Sequence, residues 1–75
     1  MLVKVREDKQ HVPVSVQVKG RTLNIASIDE VWEIDEEWWR ERRIARRYYL
    51  VTTQAGVQIT IFRDLVGGGW YRQNA

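Results

Sequence analysis

Residues 11–25 read HVPVSVQVKGRTLNI, and this stretch decides the fold. Val12, Val14, Val16 and Val18 alternate with Pro13, Ser15 and Gln17, which is the period of a strand with one face buried and the other wet. Pro13 lacks the N–H that a ladder needs, so it suits a strand start or an edge. Lys19-Gly20 then offers a two-residue turn, with Gly20 taking the positive φ of a type I′ hairpin. If Val18 faces Arg21, then Val16 faces Leu23 and Val14 faces Ile25, and the apolar residues of both arms share one face. A slip of one residue would separate them, so the register is predicted together with the turn.

A second hairpin is legible downstream. Gln54, Ala55 and Gly56 can make a three-residue turn with Gly56 left-handed, so that Thr53 meets Val57, Val51 meets Ile59 and Tyr49 meets Ile61. The opposite face holds Tyr48, Leu50 and Phe62, which a curled sheet leaves half covered. Between the hairpins the alternation breaks at Ala26, Ser27 and Ile28 and resumes at Val31, Trp32 and Ile34. A phase break without Gly or Pro reads as one bulge or bend, the device that curls a small sheet. Residues 1–5 form a weak edge strand, residues 6–10 a polar loop, and residues 70–72 a short last strand after Gly67-Gly68-Gly69.

The predicted fold is all-β, or β with at most one short helix: a small, strongly curled antiparallel sheet or SH3-like barrel of about five strands. Residues 1–75 form a single small domain in which residues 1–11 and 73–75 are loosely ordered. Trp32, Val51, Ile59 and Ile61 are its expected core.

A chain of 75 residues buries only about 60% of its unfolded surface, so four tryptophans matter to its stability. With no cysteine, neither disulfides nor thiolate ligands brace it. The start MLVKVREDKQ is too short and charged for a signal peptide, and no apolar run approaches the ~18 residues of a membrane span. A cytoplasmic protein with no membrane partner is expected. The net charge of +2 is too mild to imply nucleic acid, but the charge is sorted: seven acids fall within residues 29–41, then five arginines within residues 40–47.

Those arginines lie in residues 35–49, DEEWWRERRIARRYY, where two structures compete. Asp35 as N-cap and acids before arginines favour a helix. The Trp-Trp and Tyr-Tyr pairs and the following Leu50, Val51, Thr52 and Thr53 favour strand, arginine loop, strand, which is the reading preferred here.

Trp38-Trp39, the Ala45-Arg46-x-Tyr48-Tyr49 run, Phe62-Arg63-Asp64, and Trp70 after a glycine turn resemble two related groups. One is the C-terminal tail of the catalytically inactive Y-family-polymerase-like subunit of bacterial error-prone DNA repair, matched over the C-terminal half. The other is a small bacterial domain family of unknown function, matched over nearly the whole chain, including the turn at Gly20 and the Val31-Trp32 step. The chain departs from that pattern at Gly67-Gly68-Gly69, where the family more often has one glycine with polar neighbours. The resemblance implies a stand-alone relative of a repair-protein tail and brings no catalytic residue.

Catalytic constellations are few. His11 stands alone and reads as an exposed loop residue. Asp35, Glu36 and Glu37 cannot all point one way on a strand, so they read as a solvated acidic face rather than a cation site. No Lys-Ser/Thr follows the three glycines, which reads as a hairpin loop and not a phosphate loop. Arg63-Asp64 suits a turn cap or an Arg-carboxylate pair. No enzyme activity and no cofactor are expected.

What remains is binding. Trp38, Trp39, Arg40, Arg42, Arg43, Arg46, Arg47 and Tyr48 form the candidate binding set, rich in the Trp, Tyr and Arg of interface hot spots. The leading expectation is a non-catalytic module that docks a protein, a DNA-repair component by the resemblance. A single-stranded nucleic-acid module, stacking bases on Trp and Tyr beside the arginines, is the alternative, although the neighbouring acids oppose phosphate binding. A purely structural domain whose aromatics pack a small barrel is the third.

Overall fold

The computed structural model describes residues 2–36 and 43–73. Six strands follow in chain order: β1 (Leu2–Glu7), β2 (Pro13–Val18), β3 (Arg21–Glu36), β4 (Ile44–Thr53), β5 (Gln58–Asp64) and β6 (Trp70–Gln73). All neighbours are antiparallel, and β1 pairs with both β2 and β6 to close a barrel. The ring has six strands where about five are expected from the sequence. Among the described residues there is no helix, so none long and apolar enough to cross a membrane.

Both predicted hairpins form in the predicted register, except that the first ladder ends at Ser15–Asn24 and Ile25 pairs with Thr53 of β4 instead of Val14. Val18 opposes Arg21 and Val16 opposes Leu23, around a turn in which Lys19 (φ 49°) and Gly20 (φ 78°) are both left-handed, as type I′ requires. Val51 opposes Ile59 and Tyr49 opposes Ile61. Gly56 (φ 83°) turns that chain, donating its N–H to the Thr53 carbonyl at 2.9 Å.

The interior is built from the faces these registers align. Val3, Val16, Val18, Tyr49, Val51, Ile59, Ile61 and Trp70 form the buried cluster, with Val5, Leu23, Ile25 and Ile28 packed against it. No buried side-chain polar atom among the described residues lacks a hydrogen-bond partner.

β3 is the corner of the barrel. Its first four residues pair with β2 and the remainder with β4, and the register shifts twice, between Ile25 and Ser27 and between Ile28 and Glu30. Each shift inserts one residue and reverses which side chains face inward. Ile25, Ile28 and Val31 therefore take the inner face, opposite Thr53, Val51 and Tyr49. The single bulge expected from sequence would have turned Trp32 inward. The second bulge turns it out, and Trp32 is 37% exposed rather than core.

The central stretch is strand on both described sides, to Glu36 and from Ile44. Arg46 and Arg47 consequently lie within β4 and not on a loop, opposite Ile34 and Glu33.

Candidate functional site

Four rings from four consecutive strands meet on the outer face. The register sets Trp32 beside Tyr48, Tyr48 beside Phe62, and Phe62 beside Tyr71. Trp32 and Tyr48 stack with centroids 5.3 Å apart and planes 4° apart; Tyr48 and Phe62 tilt at 5.0 Å; Phe62 and Tyr71 stack at 5.2 Å. Each such pair contributes about 0.5–1.5 kcal/mol beyond the area it buries. The row continues onto β1, where Leu2 opposes Tyr71 and is 69% exposed. Tyr48, in the middle, is only 7% exposed although it points outward, because its neighbours cover it.

Arg46 crosses this row. Its guanidinium lies 4.7 Å from the Phe62 ring centroid, and its Nη1 donates to the Tyr48 hydroxyl at 3.3 Å. Arg47, one residue on, faces the other way, where its Nε donates to Glu33 Oε1 at 2.8 Å. Glu33 first, and then the Tyr49 hydroxyl, push the Arg47 pKa further above its ordinary value. Arg43 holds Asp35 bidentately, at 3.0 and 2.7 Å.

A polar mouth closes the inner face at the same end of the barrel, lined by His11, Arg47, Tyr49, Arg63 and Asp64. Arg63 Nη1 donates to Glu7 Oε1 at 2.8 Å, and His11 Nδ1 lies 3.8 Å from the same oxygen. The expected Arg-carboxylate pair of Arg63 is thus with Glu7 across the barrel. Asp64 is instead the turn cap: its Oδ1 accepts the N–H groups of Val66 and Gly67, at 2.9 and 3.1 Å. Those two backbone donors hold its carboxyl below the usual range. Asp29 is lowered likewise by the Thr52 hydroxyl, then by Ser27 and Gln58. Among the described residues, no group of three His, Cys, Asp or Glu is placed to hold a metal ion.

Of the candidate binding set, Trp38, Trp39, Arg40 and Arg42 lie outside the described residues. Arg43, Arg46, Arg47 and Tyr48 are placed, but only Arg46 and Tyr48 share the outer face. The sequence alone does not mark Trp32, Phe62 and Tyr71 as binding residues. The Tyr48–Phe62 pair follows from the register of the second hairpin, since Tyr49 opposing Ile61 sets Tyr48 opposite Phe62. Trp32 needs both bulges and Tyr71 needs the length of the glycine loop, and neither can be counted from alternation.

No family model, curated protein or solved structure matches this chain.

Proposed function

We propose that this domain is a non-catalytic protein-interaction module whose docking face is the outer aromatic row. The observation that supports the reading is the row's geometry. It spans Trp32, Tyr48, Phe62 and Tyr71, lies outside the barrel core, and ends in apolar side chains left open at Trp32 and Leu2. Aromatic surface beside an arginine is the composition that concentrates binding energy at protein interfaces.

Nucleic acid is the weaker reading on two grounds. Arg43, Arg47 and Arg63 already hold Asp35, Glu33 and Glu7, so phosphates would have to displace carboxylates to reach them. The rings also pack on one another, whereas strand binding needs faces left free for bases. The DNA-repair setting rests on the resemblance of Trp38-Trp39, Tyr48-Tyr49 and Phe62-Arg63-Asp64 to the repair-subunit tail, and purified error-prone repair subunits are therefore the partners to try first.

The test compares the parent chain with Trp32→Ala by calorimetric titration against those subunits and by tryptophan emission against a single-stranded oligonucleotide. Docking predicts subunit binding that Trp32→Ala abolishes while the circular dichroism spectrum is kept, and flat emission with DNA at low salt. Quenching by DNA that weakens with salt would replace this reading by the nucleic-acid one. Loss of thermal stability in Trp32→Ala with no binding of either kind would leave the row a structural device.

A further inference from the structure

Over residues 25–36, β3 presents one side of its backbone to no other strand among the described residues. Residues 21–24 pair with β2, but residues 25–36 pair only with β4 among the described residues. Past the second bulge, residues 30–36 run as a regular ladder with β4 on one side and an open edge on the other. Exposure marks the same place from both faces. Val31 on the inner face is 53% exposed and Trp32 on the outer face is 37% exposed, and among the described residues no strand other than β4 pairs beside either. A row of unpaired N–H and C=O groups of this kind is a template for another strand.

The charge of the edge states what it accepts. Residues 30–36 read EVWEIDE, with four carboxylates, at Glu30, Glu33, Asp35 and Glu36, and no basic side chain. Glu33 and Asp35 are held by Arg47 and Arg43. Glu30 and Glu36 have no ion pair among the described residues. A second copy laid along this edge would set acids against acids, which cross-strand neighbours resist. A basic strand would neutralise them.

We propose that the partner of this domain docks by strand addition: an extended segment that alternates Lys or Arg with apolar residues pairs with residues 30–36 of β3. The residue it sets beside Trp32 continues the row of Trp32, Tyr48, Phe62 and Tyr71 onto a further strand, so an aromatic side chain fits there. Its basic residues meet Glu30 and Glu36. The inference rests on the protein-docking reading and adds to it the conformation and charge of the bound segment.

The experiment uses the full chain and a fluorescein-labelled nine-residue peptide, alternating Lys or Arg with Val around one central Trp. Anisotropy reads binding, and amide exchange by NMR reads where it occurs. Strand addition predicts saturable binding, slowed exchange at alternate amides of residues 30–36, and loss of both when alternate peptide nitrogens are methylated, which keeps the charge and removes the ladder donors. Glu30→Lys combined with Glu36→Lys changes two exposed side chains and is expected to weaken binding about tenfold with the fold intact.

Binding that shifts Phe62 and Tyr71 while leaving the edge amides unprotected would overturn strand addition and leave docking on the row standing. Equal affinity for an acidic peptide of the same pattern would overturn the charge argument. No binding at millimolar peptide, or self-association of the chain through residues 30–36, would overturn the proposal outright.

Discussion

Gly20 shows how much a single residue decides. It sits at φ 78° after Lys19 at φ 49°, and a Cβ added to it would touch nothing within 4 Å. The cost of Gly20→Ala is therefore backbone strain alone, about 1–2 kcal/mol for an L-residue held left-handed. Urea denaturation should show that loss with an unchanged slope; equal midpoints would mean that the turn is not type I′ in solution. Lys19 is already held in this unfavourable region, so the hairpin tolerates strain there because the Val16–Leu23 and Val18–Arg21 pairs flanking it fix the register. Trp32 makes the complementary point, since its face is set by bulges elsewhere in its strand and by nothing in its own identity.

At the scale of elements, the β5–β6 connection carries a pH dependence. Asp64 holds the turn through Val66 and Gly67, with Arg46 adding a weaker attraction, and its carboxyl titrates below the ordinary value of about 3.9. A pKa lowered by folding means that the unfolded chain binds more protons in the acid range, so stability rises with pH there. The contribution is complete above the unfolded value and disappears as pH falls through the folded one. Asp64→Asn keeps an oxygen that accepts both N–H groups but does not titrate. The parent should be the more stable at about pH 6, and the gap should close on acidification to about pH 2. Equal stability of the two chains at about pH 6 would assign the capping to the oxygen alone and not to its charge. Asp29, bonded to Thr52, Ser27 and Gln58 beside the bulges of β3, titrates in the same direction and adds to the acid sensitivity of the parent and the variant alike.

For the whole molecule, closure is the decisive feature. β1 is the strand that joins β2 to β6, through Val5–Val16 and Val3–Trp70, and it brings Val3 into the core. Deleting residues 1–7 would open two edges and uncover Trp70 at once, in a domain whose stability is only about 5–15 kcal/mol at best. The shortened chain should lose cooperative thermal unfolding and aggregate, as followed by circular dichroism and sedimentation. A shortened chain that still melted cooperatively as a monomer would show that five strands suffice. Closure also explains why the edge at residues 30–36 of β3 remains open among the described residues. β3 turns from β2 to β4 at its bulges, so the ring is complete while residues 30–36 extend beyond it, guarded by carboxylates.

By itself the sequence determined what is local: two hairpins, their registers, the inner face of Val16, Val51, Ile59 and Ile61, and the place where β3 bends. Alternation with period two and the conformational freedom of Gly20 and Gly56 act over a few residues, so a reader can count them. The tertiary structure alone decided the closure of the ring through β1, the outward turn of Trp32, the alignment of four rings across four strands, and the open edge of β3 among the described residues. Those depend on how many residues each bulge and loop absorbs. A single added residue exchanges the faces, and only the competition among all six strands for partners settles that number.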